Sequence, residues 1–404
     1  MDRITRRQFL GTVAAGAMTL TQLPRVFSQT ATTPTVTHKI KLGLVGCGGR
    51  GKWIANLFRA HGGYDIHAVA DYFPQVADVA GNELGVDASR RFSGLSAYKK
   101  LIESGIEAVA LETPPYFFPE HATAAVAAGL HVYMAKPVAV DVPGCLAIEA
   151  AAKTASQKRR VFLVDYQIPT DPFNQGVVQR IHEGGLGKVA YMTTFGYCQG
   201  FADPPLTNTL ESRLQNLTWV NDVALGCDYI GNYDIHAIDA ALWIANARPV
   251  SAMGASRICR DEPHGDARDV CQVIFEFPDG LLLNHSGQGL KNNVEGTLRC
   301  CVYGPTAYAQ VDYWGKAFLR GGPKHYGGGA VKNLYEDGAR RNIAAFYEAV
   351  INNDCSNPTV RRAVDGCLTC ILGREAAARH GKLTMDELLR ENKKLEVDLK
   401  GLKQ

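Results

Sequence analysis

Three glycines and an aspartate supply the first residues in this chain whose types and spacing can do chemistry. Gly46, Gly48 and Gly51 stand in G-x-G-x-x-G spacing within GLVGCGGRG, and Asp71 follows twenty residues after Gly51. At a turn from a buried strand into a helix, such glycines let backbone approach a pyrophosphate, and the helix N-terminus offers it unpaired N–H groups. A carboxylate at the end of the next strand can hydrogen-bond ribose hydroxyls and repels a 2′-phosphate. The pattern points to a bound dinucleotide, NAD in preference to NADP, held by Gly46, Cys47, Gly48, Gly49, Arg50, Gly51 and Asp71. Arg50 faces either a phosphate or solvent. In a chain with 41 glycines the spacing alone is weak, so its position in the fold has to carry the inference. Eleven cysteines, an odd count without a repeated spacing, indicate no disulfide framework. The one C-x-x-C, Cys367 and Cys370 in CLTC, sits in a helical pattern with no histidine nearby and reads as core packing, so no metal site is expected.

The elements around the glycines give that position. KLGLVGCG, YDIHAVAD, IEAVALETPP, LHVYMAKP and RRVFLVDYQ read as strands, with helical segments such as GKWIANLFRAH and VPGCLAIEAAAKTASQ between them. Strict alternation with continuously apolar strands predicts a parallel sheet covered on both faces. From about residue 170 consecutive strand-like runs take over: RPVSAMGASRI, DVCQVIFEFP, GLLLNHSGQG, EGTLRCCVYG and AYAQVDYWG, with a turn signal at Asp279-Gly280. The fold class is therefore an α/β Rossmann dinucleotide-binding domain followed by an α+β domain with a mostly antiparallel, open-faced sheet. GGPKHYGGGA reads as a mobile Gly-rich loop, and helices GARRNIAAFYEAVIN and VRRAVDGCLTCILGREAAARHG follow it. The predicted boundaries are a signal at 1–30, a linker at 31–38, the Rossmann domain at 39–167, the α+β domain at 168–335, and C-terminal helices at 336–404 that pack back on both domains.

At the N-terminus, Arg6 and Arg7 precede a weak apolar run that ends in small residues, VFSQTA. The run falls short of the roughly 20 residues of a membrane span and fits a removed twin-arginine export signal, which predicts a periplasmic or otherwise exported protein without stable membrane insertion. Taking Arg3, Arg6, Arg7, Arg25 and Asp2 from 43 basic and 40 acidic residues leaves 39 of each. A neutral mature chain argues against nucleic acid as a partner.

Further along, ETPPYFFPEHATAAVAAGLHVYMAKPVAVD, IHEGGLGKVAYM, DIHAIDAALW and ILGREAAARHGKLTMDELL follow one another in an order that resembles the Gfo/Idh/MocA oxidoreductase superfamily. The resemblance implies that Thr113, Pro114 and Gln167 join the cofactor site, and that Lys136 lies by nicotinamide and the substrate hydroxyl. The family's Glu-Lys-Pro is Ala135-Lys136-Pro137 here, so the acid is lost. The family's helix-start register falls on NYDIHAID, giving His236 as acid/base and Asn232 as a group that holds substrate or the Lys136 amine. Asp234 is a candidate to point into the cleft and replace the missing acid, while Asp239 either tunes the histidine or caps a neighbouring segment. His121 has no family counterpart. Tyr166, Tyr197 and Trp219 are candidates for stacking on a sugar.

The resulting expectation is an NAD(P)-dependent oxidoreductase acting on the CH–OH groups of a sugar or polyol, with Lys136, His236, Asn232 and Asp234 catalytic. Free nicotinamide is scarce outside the cytoplasm, so the cofactor is expected to be tightly bound and recycled, and the resemblance implies a homodimer or homotetramer. Two alternatives stay open: an NAD-dependent glycoside hydrolase using transient oxidation, and a non-catalytic sugar-binding protein on the same fold.

Overall fold

The computed structural model describes Val36, residues 38–207 and residues 209–404; the signal at 1–30 and most of the linker lie outside the described residues. The first sheet contains β1 (Ile40–Val45), β2 (Tyr64–Asp71), β3 (Arg91–Ser93), β4 (Ala108–Leu111), β5 (His131–Met134) and β6 (Phe162–Val164). Their order is β3-β2-β1-β4-β5-β6 and every pairing is parallel. Helices α1 (Gly49–His61), α2 (Pro74–Leu84), α3 (Ala97–Ile102), α4 (Phe118–Ala127) and α5 (Val142–Gln157) alternate with the strands. Helices cover both faces, so Leu42, Leu44, Val109, Val132 and Leu163 are all buried. Local signals set the element ends: Gly62 and Gly85 stop α1 and α2 in left-handed conformation, and the Asp141 carboxylate accepts the Gly144 N–H at 2.8 Å to start α5. Chain order reverses between β1 and β4, and such a switch opens a crevice at the carboxyl ends of the strands.

The second sheet has nine strands, β7 (Tyr191–Cys198), β8 (Ser251–Arg257), β9 (Val270–Glu276), β10 (Leu282–Gly289), β11 (Thr297–Tyr303), β12 (Ala307–Asp312), β13 (Lys316–Gly321), β14 (Tyr326–Ala330) and β15 (Lys382–Thr384), ordered β14-β13-β12-β11-β7-β10-β9-β8-β15. With it come α6 (Pro172–His182), α7 (Val223–Gly226), α8 (Asp228–Asn232), α9 (Ile235–Ala245), α10 (Leu334–Asn352), α11 (Thr359–Arg379) and α12 (Met385–Glu391). One pairing breaks the antiparallel pattern: β7 runs parallel to β10, with Gly196 opposite Gly287. Helices α9 and α11 pack on one face, while the other leaves Tyr191, Met253, Ile274 and Leu282 exposed.

Two local expectations need correcting. The stretch YMTTFGYC, absent from the expected strands, is β7 at the sheet centre. GGPKHYGGGA is not a free loop: Tyr326–Ala330 is an edge strand on β13, and a Cβ at Gly329 would lie 2.4 Å from the Phe173 ring of α6. Among the C-terminal helices, α10 packs on α1, and α11 touches α5, α9 and β8.

Candidate active site

The glycine loop joins β1 to α1, and each glycine there meets a different constraint. Gly46 has φ +93°, and a Cβ on it would come within 2.6 Å of the Glu112 backbone. A Cβ on Gly51 would lie 1.8 Å from the Gly46 carbonyl oxygen. Around Gly48 and Gly49 a Cβ would meet nothing within 4 Å, so that side of the loop opens outward. No side chain caps α1, which leaves the first-turn N–H groups available to an anion. The Asp71 carboxylate accepts the Cys47 N–H at 2.8 Å and the Phe73 N–H at 3.0 Å, so it braces the loop as well as lying at the strand end where a ribose binds. The Cys47 side chain is buried and donates to the Ala70 carbonyl, so only its backbone faces the loop. Beyond β4, the Thr113 hydroxyl is buried without a partner. An open loop, a bare helix start, an acid on β2 and an orphaned hydroxyl together fit a dinucleotide.

Three adjacent strands deliver charge to one place. Glu112 follows β4, Lys136 follows β5 and Asp165 follows β6, and Arg50 reaches across from α1. The Arg50 guanidinium lies 3.0 Å from Glu112 and 2.6 Å from Asp165, and donates to the Tyr335 hydroxyl at 2.8 Å. Burial pushes the Glu112 carboxyl up to about 7, against the pull of Arg50. Burial, reinforced by Arg50, lowers the Lys136 amine to about 7, while Asp165 and Glu112 oppose the fall. Asp165 also accepts from Asn342 of α10 and from Gln167, each at 2.7 Å.

Facing this cluster is the α8–α9 junction. The Lys136 amine donates to the main-chain carbonyl of Asn232, so Asn232 does hold the lysine, through its backbone. His236 lies in the first turn of α9, its Nδ1 buried without a partner. The rings of Tyr166 and Tyr313 meet it edge-on at 6.0 and 5.3 Å. Burial first, then the charges of Lys136 and Arg50, hold the imidazole well below its usual range, so it rests neutral with a ring nitrogen free for a hydrogen-bond partner.

Other candidates settle elsewhere. Asp234 does not point into the cleft; its carboxylate lies on the second sheet, 3.0 Å from His285 Nε2. Asp239 pairs with Arg362 at 2.7 Å and not with His236. The Gln167 amide is committed at both ends, to Asp165 and to the Tyr313 hydroxyl at 3.1 Å, and so supports the cluster from behind. His121 packs between Tyr98 and Phe117, where burial lowers it to about 3. Of the three aromatics, Tyr166 alone adjoins His236; Tyr197 bonds Ser286 on the sheet and Trp219 packs in a small satellite core. Glu112 and Asp165 went unrecognised in the sequence. Their signal was an acid directly after a buried parallel strand, in AVALE and VFLVD.

Fold and site together define a two-domain protein whose first domain is built to hold a dinucleotide. Residues 40–166 match the model of the oxidoreductase family with the NAD-binding Rossmann fold, and residues 175–310 match the GFO/IDH/MocA C-terminal domain. The chain belongs to the Gfo/Idh/MocA family. It is 24% identical over 243 residues to an inositol 2-dehydrogenase of Rhizobium meliloti, covering 60% of this chain and 66% of that protein. A levoglucosan dehydrogenase of Pseudarthrobacter phenanthrenivorans is 26% identical over 262 residues, 61% of this chain and 66% of the relative. The match thus spans just under two thirds of these relatives. Among solved structures, aldose-aldose oxidoreductase from Caulobacter crescentus superposes with TM-score 0.69 at 19% identity, over 86% of this chain and 100% of the other. A levoglucosan dehydrogenase complexed with NADH gives 0.70 at 17% identity, over 86% and 99%. At such identities the structures establish the fold.

Proposed function

We propose that this protein is an NAD-dependent oxidoreductase that oxidises a CH–OH group of a sugar or cyclic polyol. The observation that carries the proposal is the convergence of a neutral, unpartnered His236 and a Lys136 amine of lowered pKa at the carboxyl end of the parallel sheet, beside the glycine loop. Bound nicotinamide would supply the hydride acceptor. Gly48, Gly49 and the bare N-terminus of α1 would hold the pyrophosphate, Asp71 the adenosine ribose, and Thr113 the nicotinamide end. The Lys136 ammonium donates to the substrate oxygen and stabilises alkoxide character, and His236 takes the hydroxyl proton. Glu112 and Asp165 stand in for the acid missing from Ala135-Lys136-Pro137: they keep the amine from losing its proton too readily. Two relatives are named for inositol and levoglucosan, both ring compounds rich in hydroxyls, which favours this substrate class.

Three finer features belong to the same reading. The Arg6-Arg7 pair supports twin-arginine export of the folded chain, and export supports a cofactor captured beforehand and kept. The exposed face carrying Tyr191, Met253, Ile274 and Leu282 supports a homodimer or homotetramer. The test is to purify the protein without added nucleotide, identify any dinucleotide it releases by mass, and then follow reduced nicotinamide against inositols, anhydrosugars and aldoses. Reduction with at least one substrate class is expected. Cleavage of a nitrophenyl glycoside without net reduction would replace this reading with the hydrolase.

A further inference from the structure

Away from the Lys136 cluster, three donors of different chemistry meet inside the second sheet. The parallel strands β7 and β10 bring Gly196 opposite Gly287, and the Asp234 carboxylate lies against both. A Cβ on Gly196 would stand 2.0 Å from Asp234 Oδ1. A Cβ on Gly287 would stand 2.2 Å from Asp234 Oδ2, 2.8 Å from Cys271 Sγ and 3.1 Å from His285 Nε2. The bare Cα of Gly287 therefore lets a carboxylate oxygen, a thiol sulfur and an imidazole nitrogen gather over it, and the three donor atoms lie within 4.8 Å of one another. Directly, Asp234 Oδ2 is 3.0 Å from His285 Nε2 and 4.0 Å from Cys271 Sγ. Zinc bonds of about 2.0–2.3 Å in tetrahedral array put ligand atoms about 3–4 Å apart.

A second observation points the same way. Asp234 Oδ1 is buried and has no hydrogen-bond partner among the described residues, on a residue with 0% exposure. A lone carboxylate oxygen in the interior is costly, and a cation bound by this carboxylate would offset that cost, with three protein residues as its ligands. His285 Nδ1 lies 3.0 Å from the Thr194 hydroxyl, the kind of outer partner that orients a metal-binding imidazole. We propose that Asp234, Cys271 and His285 form a zinc site, with water in the fourth position, that ties the α8–α9 junction, with Asn232 and His236, to β9 and β10. The ligands come from three separate elements, so no sequence spacing could announce them.

The test uses the full-length protein expressed with zinc and purified without chelator. Metal content is measured by mass spectrometry, then the ion is stripped and replaced by cobalt(II). Stoichiometric zinc is expected, with a thiolate-to-cobalt charge-transfer band after exchange. Cys271→Ser should lose the band, and His285→Gln should weaken metal retention by about 10-fold or more. Circular dichroism checks each variant; should one fail to fold, the wild-type measurements decide alone. Wild-type protein that takes up neither zinc nor cobalt, or a charge-transfer band that survives Cys271→Ser, would overturn the proposal and leave an ordinary buried Asp–His pair.

Discussion

His236 and His285 are both buried, yet their imidazole rings are held in opposite ways. At the mouth of the parallel sheet, His236 has an unpartnered ring nitrogen, two aromatic walls, and the cations Lys136 and Arg50 nearby. Inside the second sheet, His285 has Thr194 on one nitrogen and Asp234 on the other. Burial does not separate the two; unused hydrogen-bonding capacity does. A buried polar atom without a partner destabilises the fold, and one facing a cleft beside other perturbed groups is the pattern expected of a reacting site.

That contrast can be broken most sharply by truncation. Lys136→Ala and His236→Ala should each lower kcat by about 10²–10⁴-fold with the fold retained. His285→Ala should instead act mainly on stability, costing about 1–3 kcal/mol because Asp234 loses its partner. Steady-state kinetics alongside denaturant melts would show it, and equal kinetic losses at His236 and His285 would erase the distinction.

Within the glycine loop the contrast recurs on a smaller scale. Gly51→Ala drives a methyl into the Gly46 carbonyl and should abolish measurable NAD binding, whereas Gly48→Ala meets open space and should leave the melting temperature within about 2 °C. Its cost should fall on affinity, read by nucleotide titration.

Asp165→Asn removes a charge that holds the Lys136 amine up, so the alkaline limb of the kcat/KM profile should move to lower pH. An unmoved limb would detach Lys136 from that limb. The smallest effect concerns stability. Folding takes Lys136 from an ordinary lysine pKa of about 10.4 down to about 7, so between these values the unfolded chain binds more protons and stability rises with pH. Lys136→Met removes this penalty and should raise the melting temperature by about 2–4 °C below pH 7, the gain shrinking toward pH 10.

The first sheet was legible in the sequence because continuous apolar runs alternating with helices leave few other topologies. Its glycine loop was legible because Gly46 and Gly51 leave no room for a Cβ. The second sheet was read less fully. Strand β7 is polar and Gly-containing, YMTTFGYC, and is central only through its partners β10 and β11. Lys136 and His236 were found through motif likeness. Glu112 and Asp165 were missed because the Arg50 that gathers them comes from α1, distant in sequence, and Asp234 was misdirected because the two glycines that receive it lie on other elements.

The central claim is that Lys136 and His236 serve hydride removal from a carbinol carbon. The direct test incubates the protein with ring-deuterated inositol and levoglucosan in a single turnover, quenched before any acceptor re-oxidises the nicotinamide, and measures deuterium in the dinucleotide by mass. Label is predicted on the nicotinamide with the wild-type protein and with neither Lys136→Ala nor His236→Ala. Product formed while the dinucleotide stays unlabelled would contradict the account.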